Sequence, residues 1–332
     1  MKANDDMDDI MKDVPFLEWA IQKEPQNATA LFFLAANYYN GTNGAEKDVK
    51  KAIELFMRAA EAGSAEAANC IGIAYRDGVE GIIEQDYEVA VKWFLRAAEM
   101  GSKEAMHSLY LRYQFGQGVQ QSDSEALRWL TKSAETGHAI CQRILGECYE
   151  YGNLGLPIDK TLAFSWCEKA ALQNDGEAAC FVGICYLEGD YVEKNLQMAK
   201  QWFCVAIQQN YIDAYFEMWK TLFIENTLDS CREGIRYIQQ GAELGSSSCQ
   251  LFLGLMYKDG VVDKDRVVDI LSVDTDKARY WLGKAAEQGN KKAANLLLDI
   301  NNKQTGKENK DKSDIEKYLF LYHDINNPLG EA

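Results

Sequence analysis

Nine cysteines and three histidines are the side chains of this 332-residue chain best suited to metal ligation or covalent chemistry. Their spacing along the chain offers neither. A metal site built from one segment needs Cys-x-x-Cys or His-x-x-x-His, and neither pattern occurs. Cys141, Cys148, Cys180 and Cys185 fall at small-residue positions and are expected to be structural thiols. His107 is expected to make a polar surface contact, His138 to cap a helix and His323 to lie in the tail, so no nucleophile triad is supported. Gly78-x-x-Gly81 reads as a loop, because a phosphate cradle needs Gly-x-x-x-x-Gly-Lys-Ser/Thr. No catalytic residue, metal or cofactor is expected, and the chain is not read as an enzyme. The chemistry left is recognition by aromatic, basic and acidic side chains, which depends on the elements that present them.

Composition narrows the partners. Lys plus Arg number 35 against 51 Asp plus Glu, a formal charge of −16, whereas a nucleic-acid surface needs a basic stripe. The proportions, 47% hydrophobic with only 4 Pro, are those of an ordinary globular protein. Met1 to Asp6 opens acidic and lacks an apolar core segment, so no secretory signal is expected. No stretch approaches the roughly 18 to 20 apolar residues of a membrane helix. The odd number of cysteines without such a signal reads as reduced thiols in a cytoplasmic protein.

One pattern recurs along the chain: Ala67…Ile71-Gly72…Tyr75…Gly78 returns as Ala105…Leu109…Tyr113…Gly116, Cys141…Leu145-Gly146…Tyr149…Gly152, Ala178…Val182-Gly183…Tyr186…Gly189 and Cys249…Leu253-Gly254…Tyr257…Gly260. Weaker copies start at Ala30 and Ala214. A second pattern follows each first one, as in Ala90…Trp93…Ala97-Ala98…Gly101 and Ala126…Trp129…Ser133-Ala134…Gly137. Its closing residues, 63, 101, 137, 174, 210, 245 and 289, are spaced 38, 36, 37, 36, 35 and 44 apart. Both patterns place apolar and small residues on one helical face. Gly beside the aliphatic residue makes room for close approach of a second helix, offsetting a propensity cost of about 1 kcal/mol. The tryptophans are expected to be the buried knobs of the second helices.

Helix ends are marked as well. Asp48, Asp86, Ser122, Asp159, Asn195, Ser230 and Asp274 stand four residues before the Ala of each second pattern, where an N-cap belongs. Glu125 and Glu233 would complete capping boxes with Ser122 and Ser230. Gly63, Gly101, Gly137, Gly245 and Gly289, with Asn174 and Asn210, stand where a left-handed C-cap is expected.

These motifs resemble the Sel-one-like repeat, the slightly longer relative of the tetratricopeptide repeat, over about residues 28 to 300. The resemblance implies an all-α, right-handed α-solenoid of helix-turn-helix units: seven full repeats and a final first helix from Ala293 to Ile300. It also implies a scaffold for protein–protein contact, in signalling, secretion, host interaction or toxin neutralisation. The sixth copy, residues 212–245, lacks Gly, Tyr and Trp at their usual places. The seventh is about eight residues too long, the excess lying in Val261 to Val273. Residues 1–27 are expected to hold an N-terminal capping helix around Phe16, Leu17, Trp19 and Ala20, and residues 301–314 a polar linker. Residues 315–332 would form a C-terminal helix that either caps the stack or docks a partner.

In such a solenoid the first helices line the inner surface, so the resemblance directs attention to their outward positions. With the Tyr as origin at 100° per residue, positions −9, −6, −2, +1 and +2 lie opposite the core. They carry Phe32 and Tyr39 in the first copy, and Asn69 and Arg76 in the second. The third copy offers His107, Leu111, Gln114 and Phe115; the fourth offers Arg143, Glu147, Glu150 and Tyr151. The sixth offers Phe216, Lys220, Phe223 and Ile224. Aromatics interleaved with Arg and carboxylates have the composition of an interface. Glu66, Asp77, Glu104, Glu147, Glu150, Glu177 and Glu188 against Arg76 and Arg143 leave five net negative charges on copies two to five. This face is expected to bind a protein or peptide, with a basic one suited to its charge.

Overall fold

Side-chain caps decide where most helices begin. The computed structural model describes residues 13–263 and 268–303. Asp48, Asp86, Asp159, Asn195 and Asp274 each accept the backbone N–H three residues on at 2.9 to 3.0 Å, and Ser122 does so at 3.3 Å. Asn27, Ser64, Ser102, His138, Asp175 and Ser246 cap the first helices in the same way. Gly63, Gly101, Gly137, Gly245 and Gly289 follow the second helices at φ of 84° to 101°, and Asn174 and Asn210 at 64° and 60°.

One expected start is corrected. Ser230 lies inside its helix, which begins at Leu228 behind Thr227. Thr227 Oγ1 accepts from Ser230 N, and Ser230 Oγ engages Thr227 N, both at 3.0 Å. This reciprocal box satisfies two first-turn donors, so the helix gains a turn that the repeat spacing did not anticipate. Glu125 does not turn back on Ser122; it pairs with Arg128 at 3.0 Å.

The chain divides into two compact units, residues 1–166 and 167–332. The described part of the first opens with α1 (Val14–Lys23), whose Val14 and Leu17 are buried. Then come the packed pairs α2 (Ala28–Asn40) with α3 (Val49–Glu61), α4 (Ala65–Asp77) with α5 (Tyr87–Glu99), and α6 (Lys103–Phe115) with α7 (Asp123–Glu135). Next come α8 (Ala139–Tyr151) and α9 (Lys160–Ala171), and the boundary between units falls inside α9.

The second unit continues with α10 (Gly176–Glu188) packed on α11 (Leu196–Gln208), α12 (Ala214–Ile224) on α13 (Leu228–Glu243), and α14 (Ser247–Asp259) on α15 (Thr275–Glu287). It closes its described part with α16 (Lys291–Lys303). This is the helix-pair arrangement of an α-solenoid. The surplus residues of the seventh copy form a local hairpin, β1 (Val261–Asp263) antiparallel to β2 (Val268–Leu271). Because α16 runs on to Lys303, the polar linker cannot start at 301. The rest of 301–314 and the helix expected at 315–332 lie outside the described residues.

The core corrects the reading of the tryptophans. Trp93, Trp166, Trp202 and Trp281 are half-buried, and Trp19 is exposed, while Trp129 is buried. The knob is the residue after the tryptophan. Phe94, Leu130, Phe203 and Leu282 are fully buried. A Cβ on Gly72, Gly183 or Gly254 would lie 2.6, 2.5 or 2.7 Å from Phe94, Phe203 or Leu282, so glycine admits the knob. The half-buried indoles sit at the margin, where Arg96 lies over Trp93 at 5.3 Å, and Lys132 lies 4.8 Å over the ring of buried Trp129.

Candidate functional site

In the first unit, three aromatic side chains stand outside the core at the ends of first helices. Tyr39, Phe115 and Tyr151 are 47, 62 and 68% exposed. The placement is local in origin. Gly41, Gly116 and Gly152 end α2, α6 and α8 at φ of 70°, 63° and 71°. The chain then folds back, with the N–H groups of Asp48, Ser122 and Asp159 donating to the carbonyls of Tyr38, Tyr113 and Tyr149 at 2.8 to 3.0 Å. The loop closes over the repeat tyrosine, and the ring one or two positions later is left in solvent. Phe32, by contrast, is half-buried against Phe56 at 5.7 Å, and Leu111 is half-buried against the core.

The charged residues of this unit form matched sets. Arg76 holds Asp77 through two bonds of 2.7 and 2.6 Å, which keep the Asp77 carboxyl below its ordinary range and the Arg76 guanidinium above its own. Buried Arg112, which the outward positions did not include, lies 5.4 Å over Tyr87. Arg143 pairs with Glu147 one turn on. Gln114 hydrogen-bonds to Tyr110, whose phenol burial pushes up to about 12. Ser64 and Ser102 donate to Glu66 and Glu104 at 3.0 and 3.3 Å. Asn69 is half-buried, with its Oδ1 lacking a hydrogen-bond partner among the described residues. Both bases expected on this face are thus already answered by acids, and the surplus charge presented is negative. Glu150 is half-buried on the same helix as Tyr151.

His107 is more enclosed than a surface contact. Its ring stacks on His138 with centroids 5.0 Å apart and planes at 28°. Burial lowers both imidazoles, His107 to about 4. His138 Nδ1 accepts from Cys141 N at 3.3 Å, the expected helix cap. Cys141 is fully buried, its thiol pushed up to about 11 by burial. One ring nitrogen of each histidine and Cys141 Sγ lie within 4.8 Å of one another. Chain spacing hid this cluster because its members come from two helices. The signal was the cap position, where His138 replaces the Asn, Ser or Asp of other copies.

In the second unit the expected outward residues are corrected. Phe216, Lys220 and Phe223 are buried, and of the sixth copy's set Ile224 alone reaches solvent. The whole helix is enclosed: every residue from Phe216 to Phe223 is buried, the expected core positions Met218 and Leu222 included, and Trp219 lies 3.1 Å from where a Cβ on Gly234 of α13 would be. Phe216 meets Phe252 at 4.8 Å, and Trp219 meets Phe252 at 5.3 Å. Lys220 is enclosed beside Glu217 at 2.9 Å and Glu188 at 3.6 Å.

An open cleft of about 480 Å³ is bounded by Tyr113, Val119, Gln120, Gln121 and Ser122. Tyr113 is its one ionisable lining side chain. None of the nine cysteines is in a disulfide. Among the described residues no helix is long and apolar enough to cross a membrane.

Known proteins share this architecture. A family model described as Sel1 repeat matches residues 28–64, 65–102, 104–138, 139–175, 176–211 and 247–290. The matches pass over the pair α12 and α13, whose signature residues differ. A chitin synthase regulatory factor 3 of Schizosaccharomyces pombe is 25% identical over 286 residues, 84% of this chain but 26% of that protein. A protective antigen of uropathogenic Escherichia coli strains, displaying an SLR fold, superimposes with a TM-score of 0.72 at 28% identity. That match covers 95% of this chain and 64% of the antigen. A Sel1 repeat protein from Oxalobacter formigenes superimposes at 0.60 with 24% identity, over 76% of this chain and 98% of its own.

Proposed function

This chain belongs to the Sel1 repeat family, and from that premise we propose that it is a non-enzymatic scaffold whose first unit grips a basic segment of a partner protein. The observation that carries the reading is the exposure of Tyr39, Phe115 and Tyr151 on a unit whose first-helix acids outnumber its bases, with Arg76 and Arg143 already paired. Exposed aromatics with two rotatable torsions supply contact area at low entropic cost, and tyrosine is enriched at interface hot spots. Covering a basic surface in this way is how an immunity or inhibitor protein would silence a toxic effector. A regulatory adaptor is the second reading, favoured by the likeness to the Schizosaccharomyces regulatory factor. Inhibition calls for one tight partner, adaptation for several weak ones.

The test begins with affinity purification of the full chain from its native cells and identification of a stoichiometric partner. Binding of that purified partner is then compared between wild type and Phe115→Ala/Tyr151→Ala. We expect affinity to fall at least about tenfold, equivalent to ~1.4 kcal/mol, with the melting temperature near wild type because both rings are largely exposed. Recovery of no stoichiometric partner, or unchanged affinity, defeats the reading. A variant that melts far below wild type would show that these rings belong to the core.

A further inference from the structure

We propose that His107, His138 and Cys141 form a binding site for a borderline-soft transition-metal ion of the Zn²⁺ class, joining two successive repeats of the first unit. The site would have two imidazole nitrogens and one sulfur as ligands, with a fourth position left open. Nothing in the scaffold reading requires it, and it stands or fails separately.

The argument starts from distance. Zn–N bonds of about 2.0 to 2.1 Å and Zn–S bonds of about 2.3 Å place two nitrogens and one sulfur in tetrahedral positions roughly 3.3 to 3.6 Å apart. Here the three donor atoms already lie within 4.8 Å of one another with no ion among them. Closing that gap takes about 1 Å of side-chain rotation, within reach of two imidazoles that each turn about two torsions. The donors are also held by rigid elements: His107 in α6, and His138 with Cys141 at the first turn of α8. His138 and Cys141, three residues apart, project on the same side of that turn.

The chemistry of the set fits. Nitrogen and thiolate donors select zinc-class ions over hard cations such as Mg²⁺ or Ca²⁺. Both histidines are half-buried, so an ion can enter from solvent and retain a water. Cys141 is enclosed, and a bound cation supplies the charge that a thiolate there needs.

Two features of the repeat argue that the cluster is more than incidental. The first-helix cap is Ser64, Ser102, Asp175 or Ser246 in other copies, and His138 alone among these caps can ligate zinc through nitrogen. The position of Cys141 is Ala67, Ala105 and Ala178 in three other copies and Cys249 in the seventh, all fully buried, but Cys249 follows a serine cap, so only the fourth copy joins a cysteine there to a histidine cap. Metal binding has a cost in this design. The His138 Nδ1 bond to Cys141 N, 3.3 Å long, is lost if that nitrogen ligates, or if the tautomer changes so that the other one does. A bond of that kind contributes about 1 kcal/mol, far below the ~10 to 16 kcal/mol that structural zinc can supply.

The test uses Co²⁺ as a spectroscopic stand-in, titrated into the full chain under reducing conditions. One equivalent is expected to give a sulfur-to-cobalt charge-transfer band and the intense d–d absorption of four-coordination, both displaced by Zn²⁺. The variants are taken from the repeat itself: Cys141→Ala, as at positions 67, 105 and 178, and His138→Ser, as at 64, 102 and 246. His107→Asn completes the set. Cys141→Ala should abolish the charge-transfer band, and each histidine variant should weaken binding at least tenfold, while all three melt near wild type without metal. Zn²⁺ should raise the melting temperature of wild type and not of Cys141→Ala. No band at one equivalent overturns the proposal, as does a band that survives Cys141→Ala and so belongs to another of the nine cysteines. An equal Zn²⁺ shift in both proteins overturns it as well.

Discussion

Lys220 shows how much one side chain can diverge from its position in a repeat. It is 3% exposed, with Glu217 at 2.9 Å and Glu188 at 3.6 Å. Two charges taken out of water are tolerated because each answers the other; removing one leaves the remaining charge buried, a loss of about 3 to 5 kcal/mol. Lys220→Met should therefore cost about that much at pH 7 in urea unfolding, while Glu217→Met/Lys220→Met should stay within about 1 kcal/mol of wild type. Burial pushes the Glu217 carboxyl up, and Lys220 opposes it. A carboxyl raised in the fold stabilises it at low pH, and that contribution is lost as pH rises from the ordinary value of about 4.3 through the folded one. Without Lys220 the carboxyl climbs further, so the deficit of Lys220→Met should narrow between pH 7 and pH 5. A single variant as stable as wild type would mean that the pair is solvated. Repeat spacing does not reveal this pair: the outward positions hold in copies that keep their Gly, Tyr and Trp, whereas α12 lacks them and is buried on every side from Phe216 to Phe223.

Helix pairs were the legible part of the chain, because their ends are written in local chemistry. An Asp or Ser that accepts a first-turn N–H needs no distant partner, and neither does a glycine at positive φ. What packs between the helices is not local. The tryptophan is the conspicuous recurring residue, yet it serves the rim, and the less regular Phe94, Leu130, Phe203 and Leu282 fill the centre. The pairing of glycine and knob can be tested as a coupling. Gly183→Ala would place a methyl 2.5 Å from the Phe203 ring, an overpacking that should cost about 1 to 3 kcal/mol. Phe203→Val removes the ring atoms that the methyl meets and leaves space for it. In that background Gly183→Ala should cost less than half as much, a non-additivity measurable by a double-mutant cycle in urea. Additive losses would show that the glycine is there for another reason.

Charge acts over longer range than any of these contacts, and the proposed binding of a basic partner could draw on it in two ways. A chain with a formal charge of −16 attracts any basic protein at low salt, wherever the acids stand. A face built for one partner instead concentrates the effect at a few carboxylates. Glu66 and Glu104 are exposed at equivalent positions of α4 and α6, each steadied by its cap serine. Glu61 and Glu99 are exposed at the ends of second helices α3 and α5. Both pairs remove two charges when changed to Gln, so they alter the net charge equally. With a Debye length of about 10 Å at 0.1 M salt, only acids near the docking partner still act on it. Glu66→Gln/Glu104→Gln should slow association several-fold at 0.1 M salt with little change in dissociation, because charges at the edge of an interface govern approach more than residence. Glu61→Gln/Glu99→Gln should leave both rates near wild type there, and the two variants should converge in 0.5 M salt. Stopped-flow association with the purified partner measures all of this. Equal slowing by both pairs would assign the attraction to the chain's overall acidity, and the first helices would then have no special claim on the partner.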